Sequence, residues 1–529
     1  MDLDSMIVGA GVSGLYMLHR LRGLGHATVV LEAGDGIGGT WYWNRYPGAR
    51  CDIESLEYSY SFSEDLQQEW HWPDRYSLQP DILRYVNHVA DRFDLRRDVR
   101  LATRVTRATF DEVARRWTIE TDTGSVLTAT YLIMATGCLS VPRVPELEGL
   151  EDFGGRWYHT GAWPHDGVDF TGRRVGIIGT GSSGIQAIPI IARQARHLTV
   201  FQRTPNFSVP AWNGPLDPDV EASFKADYGA NREIARRSDS GTTLEASTTP
   251  THAMAPEVAK AELERRWAQG GFNMELVFAD ETTDANANAI VAEFARRKIR
   301  DRVKDPAVAA LLCPTDHPFA TKRLCVDTDY FETYNRDNVT LVDIRAEPIA
   351  RATPAGVRTA AREVALDDIV FATGFDAMTG ALMAVDIRGR GGQSLRAAWA
   401  AGPRSYLGLM VAGFPNLFTL TGPGSPSVLS NMMTSIEQHV EWIAACLGHL
   451  RDRHIRLIEP SAETEQRWTD HVREVGDQTL YPRANSWYMG ANIPGKPRVF
   501  MPYVGGVGAY RTICEGVAEH GYEGFALAS

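Results

Sequence analysis

Short apolar runs that end in glycine recur along the 529-residue chain. The first, residues 5–8, is followed by the loop GAGVSG, by a helical pattern through Leu24 and by an apolar run at 28–31 that ends at Glu32. A short apolar run bounded by glycine is typical of a buried strand. The pattern therefore predicts a strand, a glycine-rich turn, a helix and a second strand.

The same order recurs at 174–184, whose sequence is RVGIIGTGSSG, and at the apolar run 198–202. Two further apolar runs, TYLIMATG (130–137) and DIVFATG (368–374), both end in Ala-Thr-Gly. At about 210–318 the sequence becomes charged and alanine-rich without strand-like alternation, which predicts helices. The hydrophobic pattern thus predicts an α/β fold with two Rossmann-like dinucleotide-binding domains and a helical insertion in the second.

Both glycine-rich loops have the spacing G-x-G-x-x-G, which lets backbone approach a pyrophosphate at a helix N-terminus. Glu32 lies where an acid accepts hydrogen bonds from a ribose, whereas the comparable position of the second unit is Arg203, followed by Thr204. A carboxylate repels a 2'-phosphate and a guanidinium binds it, so the first unit is predicted to bind FAD and the second NADPH. The alternative to a role in NADPH binding is that Arg203 is a solvated arginine at the end of a strand. The predicted loop contacts are Gly9, Gly11, Ser13 and Gly14 for FAD, and Gly179, Thr180, Gly181, Ser182, Ser183, Gly184 and Gln186 for NADP.

The order of these units predicts a split FAD domain, residues 1–141 and 376–529, around an NADP domain at 142–375. Net charge −12 and a pI near 5.7 argue against a nucleic-acid partner. The chain has no apolar stretch of the roughly 20 residues that span a bilayer, and its six scattered cysteines predict neither disulfides nor a metal site. We expect a cytoplasmic enzyme that acts on small molecules. The oligomeric state stays open, with a monomer among the possibilities.

Residues 153–164, FGGRWYHTGAWP, precede the second glycine loop. This segment resembles the fingerprint F-x-G-x-x-x-H-x-x-x-W-P of type I Baeyer–Villiger monooxygenases. In the alternative interpretation, the final Trp-Pro is a rigid linker turn and the histidine is a loop residue whose hydrogen bonds are made within the protein. Further blocks extend the resemblance over essentially the full length, and several look most like the phenylacetone and steroid monooxygenase branch. The fingerprint positions are Phe153, Gly155, His159, Trp163 and Pro164.

The resemblance implies that NADPH reduces FAD and that a C4a-peroxyflavin converts a ketone to an ester or lactone with O2. Arg323 matches the family's active-site arginine, and Asp52 matches the carboxylate that orients it. A guanidinium suits this role because its pKa above about 12 prevents it from protonating a peroxide. Lys322 is assigned, with Arg203, to the NADP 2'-phosphate. The alternative makes Lys322 and Arg323 a surface basic pair and Asp52 the N-cap of a helix that follows it.

The resemblance also places Trp487 on a mobile loop that folds over NADP and substrate. The alternative is that Trp487 is an aromatic residue with a packing role only. It gives His159 a structural or cofactor-cycling role, and Arg323 a contact with NADP. The main functional alternative is a flavin-dependent N- or S-hydroxylase, and a non-catalytic flavoprotein or electron-transfer reductase is another. The remaining predicted contacts with FAD are Gly39, Thr40, Trp41, Asp52, Tyr58, Val105 and Met432. Those with the ketone are Val428, Leu429, Met432 and Trp487, beside Ser427.

Overall fold

The computed structural model describes residues 2–529. Its strands, in chain order, are β1 Asp2–Val8, β2 Thr28–Leu31, β3 Val99–Arg100, β4 Val105–Asp111, β5 Arg116–Thr121, β6 Val126–Met134, β7 Arg156–His159, β8 Arg174–Ile178, β9 His197–Gln202, β10 Ser208–Pro210, β11 Cys325–Asp327, β12 Val339–Asp343, β13 Ile349–Thr353, β14 Gly356–Thr359, β15 Glu363–Ala365, β16 Asp368–Phe371, β17 Asp386–Arg388, β18 Leu417–Thr419, β19 Leu457–Pro460 and β20 Phe525–Ala528.

The α-helices vary from single turns to 21 residues. In chain order they are α1 Val12–Gly23, α2 Thr40–Trp43, α3 Glu64–Glu69, α4 Gln79–Arg92, α5 Ser182–Gln194, α6 Pro218–Ala226, α7 Tyr228–Arg237, α8 Pro256–Gln269, α9 Ala285–Arg302, α10 Pro306–Leu312, α11 Tyr330–Thr333, α12 Gly380–Met383, α13 Leu395–Ala398, α14 Met432–Asp452, α15 Ala462–Asp477 and α16 Val507–Glu519. No α-helix within the described residues is both long and apolar enough to cross a bilayer.

The larger sheet has eight strands in the order β17-β4-β5-β6-β1-β2-β3, with β18 added beside β6. Strands β1, β2, β3, β6 and β18 run parallel, whereas β4, β5 and β6 form an antiparallel meander. The apolar runs 5–8, 28–31 and 130–134 therefore lie side by side at the centre of this sheet. The carboxyl ends of β1 and β6 meet at one edge, where the first glycine loop begins.

The second sheet has five parallel strands in the order β12-β9-β8-β16-β7. Strand β7 is formed by the fingerprint residues, so this motif is an edge strand of the nucleotide sheet. Between residues 211 and 324 the chain contains α6 to α10 and no β-strand, as the sequence predicts. The fold class is confirmed. The domain limits at 141 and 376 stay predictions, because sheet membership does not fix where a domain ends.

Candidate active site and cofactor sites

The first glycine loop leaves room for a ligand at one of its three glycines. A Cβ on Gly9 would lie 2.5 Å from the Ala135 carbonyl oxygen, and one on Gly14 would lie 1.9 Å from the Gly9 carbonyl oxygen. A Cβ on Gly11 would meet only Gly39, with 3.4 Å to its Cα and 3.8 Å to its nitrogen. Gly11 is the N-cap of α1 and makes no side-chain capping bond. The N–H groups of the first helical turn therefore have no side-chain acceptor at the N-cap, which fits a pyrophosphate.

Glu32 is held in place at the end of β2. Its carboxylate oxygens accept hydrogen bonds from the backbone N–H groups of Ala10, at 2.7 Å, and Gly34, at 2.8 Å. The residue is 5 % exposed. Each carboxylate oxygen keeps a second lone pair, so the predicted bonds to ribose hydroxyls stay available.

The second glycine loop repeats this geometry. A Cβ on Gly179 would lie 2.4 Å from the Ala372 carbonyl oxygen, and one on Gly184 would lie 2.3 Å from the Gly179 carbonyl oxygen. Gly181 has no heavy atom of residues 2–529 within 4 Å of its Cβ position. The Thr180 hydroxyl donates to the Thr204 carbonyl oxygen at 3.1 Å, which ties the loop to the end of β9. The open space at Gly181 fits a second pyrophosphate.

Four cationic side chains gather near the second loop. Burial lowers the pKa of Lys322, and Arg203 and Arg345 lower it further, while Asp316 opposes them. Burial and the charge of Arg203 also lower the pKa of Arg143. Cations that destabilise one another in this way favour a bound anion between them. The cluster fits a 2'-phosphate, and it includes two residues that sequence analysis missed, Arg143 and Arg345.

We expect the substitution Arg203→Ala to raise the KM for NADPH by about ten- to a hundredfold, because one charge-assisted bond to a phosphate is lost. The KM for NADH should change little, since NADH has no 2'-phosphate. Steady-state kinetics with both cofactors checks this. Arg196→Ala, which removes an exposed arginine at the far end of β9, is the control. Equal losses for both cofactors in Arg203→Ala would place the residue on the shared part of the nucleotide.

Gln186 connects the two nucleotide-binding folds. Its side-chain oxygen accepts bonds from the Tyr46 hydroxyl at 2.8 Å and the Arg50 N–H at 3.3 Å, and its amide donates to the Arg50 carbonyl oxygen at 3.2 Å. A Cβ on Gly48 would lie 2.5 Å from the Gln186 carbonyl oxygen. The side chain of Gln186 is thus bonded to the segment 46–50, and its contact with NADP stays a prediction.

The fingerprint residues are mostly buried. His159 is 2 % exposed, and its Nδ1 accepts a hydrogen bond from the Gly161 N–H at 2.9 Å. Burial lowers the pKa of His159 to about 4, so the imidazole is neutral at ordinary pH. Trp163 packs against Tyr158, with 5.4 Å between ring centroids. A Cβ on Gly155 would lie 2.3 Å from the Asp367 carbonyl oxygen. These contacts support a structural role for the motif.

Arg323 and Asp52 meet although they are 271 residues apart. Arg323 Nε and Nη2 each donate to a different Asp52 carboxylate oxygen at 2.9 Å, and Nη1 donates to the Val428 carbonyl oxygen at 3.1 Å. Its guanidinium carbon lies 4.4 Å from the centre of the Phe272 ring. Burial opposes the charge of Arg323, but Asp52 outweighs it and raises the pKa of the guanidinium above its ordinary value. The cation is permanent.

The alternative interpretations of these two residues are wrong. Residues 51–60 form turns and bends without an α-helix, so Asp52 caps none. The physical reason is tertiary pairing: the N–H groups of Cys51 and Ser55 donate to the carbonyl oxygens of Ser77 and Arg75 rather than along a helix. Arg323 is no surface residue, since its side chain is 20 % exposed and bonded to Asp52.

Apolar side chains from distant segments line the region beside Arg323. The predicted ketone contacts Val428, Leu429, Met432 and Trp487 belong to one hydrophobic cluster, which also includes Cys138, Leu139, Ala377, Met378, Tyr481, Tyr488, Val499, Phe500 and Met501. Ser427, at φ 42°, opens the 3₁₀ helix Ser427–Leu429, and strained backbone of this kind is typical of functional sites. Val428 contributes both an apolar wall and the carbonyl that holds Arg323.

The segment that carries Trp487 is docked. The Lys496 ammonium donates to the Asp376 carboxylate at 2.6 Å and to the Ala377 carbonyl oxygen at 2.8 Å, and the Asn492 amide donates to the Phe375 carbonyl oxygen at 2.8 Å. These partners directly follow the second Ala-Thr-Gly. The Trp487 ring lies 4.2 Å from that of Tyr488, centroid to centroid.

The other predicted flavin contacts come from several elements of the first nucleotide-binding unit and from the C-terminal part of the chain. The Trp41 indole N–H donates to the Tyr58 hydroxyl at 3.1 Å. Gly39 touches Gly11, and Thr40 begins α2 beside it. Val105 begins β4 in the same sheet as β1. Ser13 is buried in α1, and Met432 is the first residue of α14. The contacts of these residues with FAD stay predictions.

Known proteins resemble the chain over its whole length. The family model described as pyridine nucleotide-disulphide oxidoreductase matches residues 6–266. Acetone monooxygenase (methyl acetate-forming) of Gordonia sp. is 44% identical over 529 residues, 99% of this chain and 99% of its own. The chain belongs to the Baeyer–Villiger monooxygenases.

Solved structures of Baeyer–Villiger monooxygenases extend the comparison. Steroid monooxygenase bound to NADP is 51% identical, with a TM-score of 0.96 and complete coverage of both chains (100% each). A complex of OTEMO with FAD and NADP is 42% identical, with a TM-score of 0.96 and 99% coverage of each chain. The predicted family, enzyme class and cofactors, FAD and NADPH, are therefore confirmed.

One relative is named for another activity. Phenazine N-monooxygenase of Lysobacter antibioticus is 42% identical over 99% of this chain and 97% of its own.

Proposed function

We propose that this Baeyer–Villiger monooxygenase converts a bulky or aryl-bearing ketone to its ester, with Arg323 at the reacting atoms. The observation that carries the proposal is the Arg323 geometry. Three of its five N–H groups bind Asp52 and Val428, and the Tyr488 phenol interacts with the same guanidinium, which leaves at least one N–H group for another acceptor. A fixed cation with a free donor stabilises negative charge as it develops on oxygen during oxygen transfer.

Bound FAD supplies the chemistry that activates O2. Asp52 orients Arg323 through two parallel bonds, which fix the plane of the guanidinium. The docked Trp487 segment excludes water from the apolar cluster that it covers. Arg203 and Lys322 select NADPH by its 2'-phosphate. These are the roles that the contacts of each side chain support.

The preference for a bulky ketone is supported by the apolar cluster around Val428 and by the 51% identity to steroid monooxygenase. We expect phenylacetone and steroid or large-ring ketones to have a higher kcat/KM than cyclohexanone. NADPH consumption combined with product mass spectrometry measures this. Turnover of cyclohexanone far above that of the larger ketones would reverse the assignment.

The N- or S-hydroxylating alternative is tested in the same assay with a thioether and a tertiary amine beside the ketones. A permanent cation that cannot give up its proton at working pH favours a nucleophilic oxygen atom, which attacks a carbonyl carbon. We therefore expect ester to be the dominant product per NADPH. Sulfoxide or N-oxide formed without any ester would favour the alternative.

A further inference from the structure

The backbone of Arg323 is held by the side chain of Asn206. The Asn206 amide group donates to the Arg323 carbonyl oxygen at 3.2 Å and to the Cys325 Sγ atom at 3.1 Å. A carbonyl oxygen can only accept, so the nitrogen of the amide group faces it. Arg323 is therefore held at both ends, at its backbone by Asn206 and at its guanidinium by Asp52 and Val428.

The bond from Asn206 extends the pairing of two short strands. In the parallel pair of β10 and β11, Ser208 lies opposite Cys325. Asn206 and Arg323 each lie two residues earlier, so they are opposite each other just beyond the strands. The Cys325 N–H donates to the Phe207 carbonyl oxygen at 3.1 Å. At the position of Arg323 the donor is the Asn206 side chain instead of a backbone N–H group.

The same two segments are tied to the second glycine loop. The Thr180 hydroxyl donates to the Thr204 carbonyl oxygen, two residues before Asn206. The Ser182 hydroxyl lies 3.4 Å from the Cys325 Sγ atom, which is also bonded to Asn206. Thr180, Ser182 and Thr204 are all predicted contacts of NADP. The Asn206 side chain thus lies between the predicted NADP loop and the arginine of the proposed active site.

The oxygen of the Asn206 amide group shows which part of the side chain matters. This oxygen is buried and makes no hydrogen bond within residues 2–529. A buried oxygen without a partner costs free energy. An aliphatic side chain would avoid that cost but could not donate to the Arg323 carbonyl oxygen. The contribution of Asn206 therefore comes from its N–H2 group.

We propose that Asn206 is a positioning residue for Arg323. It fixes the backbone of the arginine relative to the NADP loop, so that the guanidinium meets the oxygen that is transferred. This inference rests on the proposed function, in which Arg323 acts in oxygen transfer. Loss of the bond from Asn206 should misalign the guanidinium without removing its charge. Oxygen transfer then becomes slower, while both cofactors still bind.

The test compares Asn206→Ala and Asn206→Asp with the parent holoenzyme at about pH 8, where aspartate has the shape of asparagine but no N–H group to donate. The quantity to measure is the ratio of ester to H2O2, because it compares oxygen transfer with the decay that competes with it. We expect this ratio to fall by about three- to tenfold in both variants, the effect of one hydrogen bond. FAD content, the KM for NADPH and the rate of NADPH oxidation should stay at the parental values.

Asn338→Asp is the matched control. The Asn338 amide group also donates to two backbone acceptors, the carbonyl oxygens of Ala192 and Ala195 at 2.9 and 3.0 Å, but it does so at the C-terminal end of α5. This variant should leave the ratio of ester to H2O2 unchanged, even where it lowers the temperature of unfolding.

An unchanged ratio in both Asn206 variants would overturn the inference. A fall in only one of them would also overturn it, because lost packing or the added charge would then be the cause. The same fall in Asn338→Asp would show that the ratio follows stability rather than the position of Arg323. If the parent enzyme forms no ester from any ketone, the proposed function fails instead.

Discussion

Arg323→Ala should retain FAD and continue to oxidise NADPH while forming almost no ester. We assign the side chain to oxygen transfer, whereas we assign flavin binding to the glycine loop and Glu32. Removal of one preorganised donor for developing negative charge typically costs about 100- to 1,000-fold in rate. Ester formed per NADPH consumed is the quantity to measure, with H2O2 as the expected product in place of ester.

Two further variants make this result specific. Arg323→Lys should not restore ester formation, because an ammonium cannot make two parallel bonds to Asp52 while donating to the Val428 carbonyl oxygen. Arg296→Ala is the control: its side chain is 22 % exposed, close to the 20 % of Arg323, and pairs with Glu293 on α9. Ester yield at the parental level in Arg323→Ala would remove the residue from the mechanism.

Gly11→Ala should yield a folded protein that has lost its FAD. The backbone at Gly11, φ −79° and ψ −172°, suits alanine, and a methyl there would meet only Gly39. The same methyl would block the approach of a pyrophosphate to the first turn of α1. If the pyrophosphate loses two charge-assisted hydrogen bonds from backbone N–H groups, at about 1.5 to 3 kcal/mol each, FAD binding is weakened by about 100-fold or more. Flavin absorbance per protein measures the effect.

Gly23→Ala is the control for this substitution, because Gly23 ends the same helix and its Cβ position has no heavy atom of residues 2–529 within 4 Å. It should bind FAD as the parent does. Circular dichroism and thermal unfolding show whether each variant is folded. A folded Gly11→Ala protein with stoichiometric FAD would contradict the assignment of the first loop.

Local sequence patterns predict the nucleotide-binding parts of this fold well. The strand predicted from the run at 28–31 has the same bounds as β2, Thr28–Leu31. The prediction succeeds because a strand that is buried on both faces is apolar along its length. The spacing of the glycines predicts the close approach at Gly14, where a Cβ would collide with the Gly9 carbonyl oxygen five residues earlier. Such features depend on neighbours that are close in sequence.

The candidate site depends on contacts between distant segments, which local patterns do not describe. Arg323 and Asp52 could be paired only through motifs that resemble a known family. The bond from Arg323 to the Val428 carbonyl oxygen cannot be predicted from the identity of the residue at 428, because every residue has a backbone carbonyl group. Phe272 was missed for the same reason: the pattern of a helical insertion shows which side chains are buried, but not which site they contact.

The contact between Gly48 and Gln186 brings the two nucleotide-binding halves close together at one point. With 2.5 Å between the carbonyl oxygen of Gln186 and the position of a Cβ on Gly48, there is no space for a side chain at this point. If one half rotated against the other about this contact, the atoms nearest to the contact would be displaced least. Asp52 follows the segment 46–50 by two residues. In such a movement the Asp52 carboxylate, which aligns Arg323, would be displaced less than the parts of the pocket that lie farther from this contact.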